Sequence, residues 1–135
     1  KEANAMTVSW GGVGVLWGKN VVFVFIRDSR YTKEFIDNGD FFSVSFLDKN
    51  YKDALSYCGS HSGRNEDKIA NAGLSWDYKH SIPFIDEGNL VLLCEKLSAT
   101  KITDDSFISP DIKKWYADGD MHTMYVAEIL EVMAR

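Results

Sequence analysis

Cysteine, proline and histidine are scarce in this chain of 135 residues, which has two cysteines, two prolines and three histidines. Cys58 and Cys94 stand far apart and match neither a CxxC pair nor a zinc-ligand spacing. The sequence therefore predicts reduced thiols and a cytoplasmic location rather than a disulfide framework. His61, His80 and His122 lie in unrelated contexts, and no Ser-His-Asp order accompanies them. This pattern argues against a metalloenzyme and a serine hydrolase.

Long apolar runs and an excess of positive charge are also missing. No stretch approaches the roughly 20 apolar residues that cross a bilayer, and no signal peptide is recognisable, so we expect no membrane association. A formal net charge of −5 does not provide the basic face that binds nucleic acid. The content of 45% hydrophobic and 26% charged residues is typical of a globular protein, and we expect residues 1–135 to form a single domain.

Hydrophobic patterns predict five or so strands. Residues 6–10 alternate apolar and polar side chains, and residues 21–26 are continuously apolar. The other predicted strands cover 41–47, 90–97 and 124–132. Short helices are predicted at 33–38 (with Thr32 as the cap), 51–57, 65–72 and 112–116. Because these elements follow no regular βαβ order, the pattern predicts a mainly β fold, an antiparallel sheet or barrel with short peripheral helices.

Two arginines bracket an Asp-Ser pair where the apolar strand 21–26 passes into the first predicted helix. A helix start exposes unpaired N–H groups and the positive end of the helix dipole. Ser29 and Thr32 add hydroxyl groups, and Arg27 and Arg30 add guanidinium groups that suit phosphate oxygens. Asp28 could instead pair with one arginine and cap the helix. The residues alone leave both an anion site and a solvated turn open.

A second polar stretch, CGSHSGRNEDK, begins at Cys58. It combines hydroxyls and a flexible glycine with Arg64 and Lys68, and such a loop forms either an anion-binding concavity or a polar surface turn. Neither stretch is a Walker loop or a GxGxxG, so a nucleoside triphosphate site and a Rossmann site are not predicted.

His122 and a group of aromatic residues are further candidates. His122 lies in the segment GDMHT and is either a proton donor or a structural histidine at a strand start. Trp10 and Trp17 flank a glycine-rich turn, and Trp115 and Tyr116 precede His122. These side chains either stack on a planar ligand or pack in a core or interface.

Six blocks, in the same order along the chain, resemble the flavin reductase-like, FMN-binding split-barrel family, which includes flavoredoxin-type proteins. The blocks are NAMTVSWGGVGVLWGK, RDSRYTKEFI, FSVSFL, YKDALSYCGSHSGRNEDKIANAGL, EGNLVLLCEKL and DMHTMYVAEILEV. The resemblance covers essentially the whole chain. It implies a split β-barrel homodimer with FMN bound at or near the subunit interface.

The resemblance also implies which residues contact FMN. The segment along the isoalloxazine ring corresponds to Asn4, Met6, Thr7, Ser9 and Trp10. The block that holds the FMN phosphate corresponds to Arg27, Ser29, Arg30, Tyr31 and Thr32. A second ribityl-phosphate or partner-facing contact corresponds to Ser60, Ser62, Gly63, Arg64 and Lys68. Of the two arginines, Arg30 is the expected phosphate ligand, since Arg27 lies nearer the strand and is expected to pair with Asp28 or with the partner subunit.

The activity implied by the resemblance is electron transfer from NAD(P)H through bound FMN to free flavin or a redox protein. His122 matches a Gly-Asp-His-like segment of the family, with Met121 interposed, and is the expected proton donor. The alternatives are an FMN-binding electron carrier without a nicotinamide site and a dimeric scaffold without cofactor. Relatives usually carry a few dozen residues, including a barrel strand, before the Asn-Ala-Met-Thr block. We therefore expect missing N-terminal residues and an open barrel edge unless a partner subunit covers it.

Overall fold

Seven strands and three short α-helices make up the computed structural model, which describes residues 3–135. The strands are β1 (Gly11–Leu16), β2 (Lys19–Arg27), β3 (Phe41–Phe46), β4 (Trp76–Lys79), β5 (Ile82–Ile85), β6 (Leu90–Lys101) and β7 (His122–Ala134). The α-helices are α1 (Tyr31–Asn38), α2 (Lys52–Ser60) and α3 (Lys68–Asn71), and 3-10 helices cover Lys49–Tyr51, Asp104–Ser106 and Pro110–Tyr116. This arrangement confirms the prediction of a mainly antiparallel β fold with short peripheral helices.

Five of the strands form one antiparallel sheet in the order β1-β2-β7-β6-β3, and β4 pairs with β5 in a separate hairpin. Among the described residues, β1 and β3 each pair with one strand only. Within residues 3–135 the sheet therefore has two edge strands, β1 and β3. None of the helices in residues 3–135 is long and apolar enough to cross a membrane.

The core lies on both faces of the sheet. On one face, Ile36 of α1 packs on Val24, Leu92 and Tyr125. On the other face, the hairpin residues Ile82 and Phe84 pack on Val91 and Leu93. A third apolar cluster joins α2, α3 and β5 through Ala54, Cys58, Ile69, Leu74 and Ile85. Helix α1 thus packs on the five-stranded sheet, whereas α2 and α3 pack on the hairpin strand β5.

The predicted strand at residues 6–10 is wrong, because this segment has no strand partner among the described residues. The side chain of Met6 packs against the core under α1, and the Thr7 hydroxyl donates a hydrogen bond to the Leu55 carbonyl at 2.6 Å. The strand starts instead at Gly11, where a Cβ would lie 2.2 Å from the Phe23 carbonyl oxygen. Glycine is needed there because the two backbones approach closely.

The other predicted strands at 21–26, 41–47, 90–97 and 124–132 are confirmed by β2, β3, β6 and β7. The helix expected at 33–38 begins at Tyr31, so the predicted cap at Thr32 is wrong: Arg30 is in the N-cap position, and Thr32 lies inside the helix, where its hydroxyl accepts a hydrogen bond from Asn4. Only the part Lys68–Asn71 of the helix expected at 65–72 is helical, and the turn at 112–116 belongs to a longer 3-10 helix. The hairpin β4–β5 was not predicted, because strands of four residues give too short a pattern.

Candidate ligand-binding site

The start of α1 meets the N-terminal segment and the loop after α2. The Asn4 side-chain amide donates to the Thr32 hydroxyl at 2.9 Å. Gly63 fits closely against Asn4, because a Cβ on Gly63 would lie 2.1 Å from the Asn4 Oδ1 atom. The Arg64 guanidinium lies 4.7 Å from the centre of the Tyr31 ring. Three segments that are distant in sequence therefore converge at one end of α1.

Two positive charges lie beside this convergence. Lys68 is only 3% exposed, and its ammonium donates to the carbonyls of Cys58 and His61, both at 3.1 Å. Burial lowers the pKa of Lys68, and the nearby Arg30 guanidinium lowers it further. An anion that binds between two such cations relieves both the mutual repulsion and the loss of hydration.

The carboxylates around these cations have other partners. Glu34 forms an ion pair with Arg64 at 2.7 Å, and Glu66 accepts hydrogen bonds from the Tyr57 hydroxyl and the Asn71 amide. Within residues 3–135, no ion pair involves Arg30. The donor set at the start of α1 thus has spare positive charge, which fits a phosphate group.

Aromatic side chains surround His122 at the end of β2 and the start of β7. The ring centre of His122 lies 5.1 Å from that of Trp10, and Trp115 packs edge-on against Trp10 at 5.2 Å. The Tyr116 hydroxyl lies 2.8 Å from the His122 Nδ1 atom. Trp10 and Trp115 remain 41% and 48% exposed, so this aromatic cluster presents a surface on which a planar molecule can stack.

Arg27 holds the segment before β7 in place. Its guanidinium donates to the carbonyls of Asp120 at 2.6 Å and Trp115 at 3.1 Å. Asp28 pairs with Lys101 at 2.5 Å, so of the two partners predicted for Arg27 the Asp28 pair is wrong, and the pairing with a partner subunit stays a prediction. These contacts give Arg27 a structural role beneath the aromatic cluster and leave Arg30 as the arginine without a partner in the described chain.

The predicted site residues therefore fall into two groups joined by residues 4–10. At the start of α1 the structure brings together Asn4, Arg30, Tyr31, Thr32, Gly63, Arg64 and Lys68. Near His122 it brings together Trp10 and Arg27, with Ser29 attached through Asp120. Asn4 and Trp10 are six residues apart in the chain, a separation that spans at most about 20 Å, so a ligand with an anionic tail and a planar head can lie along this segment.

The remaining predicted residues make local contacts. The Ser60 hydroxyl donates to the Ser56 carbonyl at 2.9 Å, and the Ser62 hydroxyl accepts from the Arg64 backbone N–H at 3.1 Å. Ser9 is exposed beside Trp10. Sequence reasoning missed Asp120, whose carboxylate accepts from both the backbone N–H and the hydroxyl of Ser29. The sequence signal that could have identified Asp120 was its place directly after Gly119, since glycine is typical of turns.

A cavity of about 460 Å³ adjoins the segment 3–8. Its lining is mainly apolar and comes from that segment, from residues 41–47 along β3, and from β5. Asn4 and Thr32 also line the cavity. The cavity therefore extends from the edge strand β3 to the Asn4–Thr32 hydrogen bond.

His122 gives the stability of the protein a pH dependence. Burial lowers its pKa below the usual 6.5, and the Arg27 charge lowers it further. The unfolded chain therefore takes up a proton at His122 at a higher pH than the folded chain, so folding stability is lost as the pH falls below about 6.5. We expect the melting temperature of the wild type to drop more steeply between about pH 7 and pH 5 than that of His122→Gln. Parallel curves would contradict this assignment.

The described residues therefore form a small, mainly antiparallel β protein with a cluster of cations and hydroxyl groups at the start of α1. The chain belongs to the flavin reductase like domain family, whose model matches residues 1–135. This membership confirms the family resemblance found in the sequence. Among curated proteins no match is found.

Solved structures share this fold. Flavoredoxin from Methanosarcina acetivorans is 24% identical with a TM-score of 0.75, and the match covers 98% of this chain and 61% of that one. Flavoredoxin from Desulfovibrio vulgaris is 22% identical with a TM-score of 0.75, over 98% of this chain and 62% of that one. An FMN-binding protein from Thermus thermophilus, with bound p-hydroxybenzaldehyde, is 22% identical with a TM-score of 0.76, over 98% and 64%. The chain thus spans about three fifths of the length of these proteins.

Proposed function

We propose that this domain binds FMN and passes electrons from NAD(P)H through the flavin to free flavin or to a redox protein. The observation that carries the proposal is the group of cations at the start of α1, where the Arg30 charge lowers the pKa of the buried Lys68 and the nearby carboxylates have other partners. Family membership supports a flavin as the ligand. The two free, buried cysteines are compatible with a cytoplasmic location, which belongs to the same proposal.

The phosphate of FMN would bind at the start of α1. Arg30 supplies a guanidinium, Thr32 a hydroxyl and Lys68 a nearby positive charge, and charge-assisted hydrogen bonds of this kind are about twice as strong as neutral ones. Arg64 and Tyr31 form the side of the site, and the ion pair of Arg64 with Glu34 keeps that side in place.

The isoalloxazine ring would lie along residues 6–10, toward Trp10. Thr7 binds the Leu55 carbonyl through its hydroxyl, so it orients the segment. The exposed hydroxyl of Ser9 is free to contact the ring edge. Ser60, Ser62 and Gly63 shape the loop that faces the ribityl chain.

FMN, when bound, would supply the redox chemistry that links a nicotinamide donor to the electron acceptor. The chain binds and orients the two molecules and excludes water. His122 holds or delivers a proton at its ring, with Tyr116 fixing the ring through Nδ1. Because burial keeps the pKa of His122 low, the ring is neutral near pH 7 and can exchange protons without carrying a permanent charge.

The proposal includes a homodimer. The strand register places Val13 and Val15 of β1 and Val132 of β7 on the same face of the sheet as the core residues Val22 and Leu92. These three valines are 64%, 74% and 55% exposed. Uncovered apolar side chains grouped on one sheet face are typical of a protein interface, and a second copy of the chain would cover them.

Sedimentation tests the dimer. We expect the wild type to sediment as two chains and Val15→Glu to sediment as one, because a charge in an apolar interface is costly. Ile108→Glu is the matched control, since Ile108 is fully exposed and lies outside this face. A monomeric wild type, or a Val15→Glu variant that stays dimeric, would contradict the proposed interface.

Titration with FMN tests the proposed function. Quenching of flavin fluorescence by the purified protein measures binding, and absorbance at the nicotinamide band measures NADH and NADPH oxidation with free flavin as acceptor. We expect saturable FMN binding that is tighter than riboflavin binding, together with oxidation above the rate without protein. If the protein bound FMN but did not oxidise NADH or NADPH, it would be an electron carrier and not a reductase. If it bound no FMN, the proposed flavin site would be wrong.

A further inference from the structure

Helix α1 is held on the sheet by few apolar contacts. It has eight residues, of which only Ile36 is buried. A helix this short is not stable by itself, and one apolar side chain constrains neither its rotation nor its position along its axis. Since α1 carries Thr32, polar contacts must help to set where this hydroxyl lies relative to Asn4, and the Glu34–Arg64 ion pair is one of them.

A second set of polar contacts is at the opposite end of the helix. The Tyr125 hydroxyl donates to the Asp37 carboxylate at 2.5 Å. The Lys96 ammonium donates to the carbonyl oxygens of Ile36 at 2.6 Å and Asp37 at 3.3 Å. Both donors come from the sheet, so the last turn of α1 is attached to β6 and β7 by directional bonds.

Tyr125 is a rigid anchor for this purpose. It is fully buried, and it lies on β7, where it faces Val24 of β2 and Ala99 of β6. Burial raises the pKa of Tyr125 to about 12, with a further contribution from the hydrogen bond to Asp37. The hydroxyl therefore stays protonated and remains a donor over the range in which proteins are stable.

Asp37 would be unfavourable at its position without these partners. A carboxylate in the last turn of a helix lies near the negative end of the helix dipole. Lys33 pairs with it at 2.7 Å. Burial acts to raise the pKa of Asp37, but the hydrogen bonds from Lys33 and Tyr125 outweigh burial and lower it. The hydrogen bond from Tyr125 that attaches α1 to the sheet therefore also helps to keep the Asp37 carboxylate negatively charged.

We propose that Tyr125 is a positioning residue for the anion site: through Asp37 it fixes the rotation and axial position of α1, and thereby places Thr32 and Arg30 against Asn4 and Lys68. Thr32 precedes Asp37 by five residues, about 7.5 Å along the helix. While α1 remains folded, its backbone hydrogen bonds connect Asp37 to Thr32, so a shift at Asp37 displaces Thr32 as well. The inference rests on the proposed function for the identity of the ligand.

The test removes only the hydroxyl. In Tyr125→Phe we expect the Kd of FMN to rise roughly three- to tenfold, while the Kd of riboflavin, which has no phosphate, stays unchanged. The signal of the Asn4 side-chain amide in a proton–nitrogen NMR spectrum of the ligand-free protein should move, because its hydrogen bond to Thr32 is weakened. Tyr78→Phe is the matched control, since Tyr78 is 43% exposed and lies on the hairpin, and it should change neither.

A second variant acts from the helix side. Asp37→Ala removes the acceptor at an exposed position and should reproduce both effects of Tyr125→Phe. The double variant should show no larger loss than either single one, because both changes break the same bond. Equal losses for FMN and riboflavin, or an unmoved Asn4 amide signal, would overturn the inference. A wild type that binds no FMN overturns the proposed function instead, and the Asn4 signal then still decides the role of Tyr125.

Discussion

In Arg30→Ala, FMN binding is expected to weaken by about 1.5–3 kcal/mol, because a charge-assisted hydrogen bond to the phosphate is lost. Riboflavin binding is expected to change far less, since riboflavin lacks the phosphate. The unfolding free energy should change by no more than about 0.5 kcal/mol, because Arg30 has no ion pair within residues 3–135. Fluorescence titration with the two flavins and thermal melting measure these quantities.

Two further variants sharpen this result. Arg30→Lys keeps the charge but loses the planar fork, so its FMN affinity should lie between those of the wild type and Arg30→Ala. Arg27→Ala should lower the melting temperature, because the Asp120 and Trp115 carbonyls lose their donor. An equal loss of FMN and riboflavin affinity in Arg30→Ala would show that Arg30 has a structural role.

Lys68→Met is expected to weaken FMN binding and to destabilise the fold. Methionine fills the buried space but removes the charge and leaves the carbonyls of Cys58 and His61 without their donor. An unsatisfied buried polar group costs about 1–3 kcal/mol, and this loss is partly offset because a buried charge is removed. We expect the unfolding free energy to fall by about 1–3 kcal/mol and the FMN affinity to fall at least as much as in Arg30→Ala.

Comparing FMN with riboflavin separates the two expected effects of Lys68, its charge near the phosphate and its support of the loop after α2. Because Lys68 also holds the loop after α2, riboflavin binding should weaken in Lys68→Met, whereas it should persist in Arg30→Ala. Lys113→Met is the matched control, since Lys113 is exposed on a 3-10 helix, and it should alter neither stability nor binding. If Lys68→Met bound FMN as tightly as the wild type, Lys68 would not be part of the phosphate site, and Arg30 would be its main cation.

Prediction from the sequence succeeded where a pattern is local and long. The continuous apolar run in β2 and the long strands β6 and β7 have enough residues for their period to be recognised. Prediction failed at residues 6–10, whose alternation is that of a strand although no described segment pairs with them. A strand needs a partner, and a local pattern does not reveal whether one is present.

The candidate site shows the same limit. The block of arginines and hydroxyls at 27–32 was visible in the sequence, as was the family. Arg30 was also preferred over Arg27 from the sequence, but the partners of Arg27 were not visible there, because they are carbonyls 88 and 93 residues further along the chain. The predicted pairing with Asp28 failed for the same reason, since Lys101 reaches Asp28 from β6.

The sequence by itself determined the mainly β fold, the family, and the residue types that suit an anion: guanidinium, hydroxyl and ammonium groups in two short blocks. Only the tertiary structure decided which of them act together. It buried Lys68 beside Arg30, set Asn4 against Thr32, and attached the far end of α1 to Tyr125. The physical reason is that charge balance and hydrogen-bond satisfaction depend on neighbours brought together by folding, whereas apolar periodicity is a property of the chain itself.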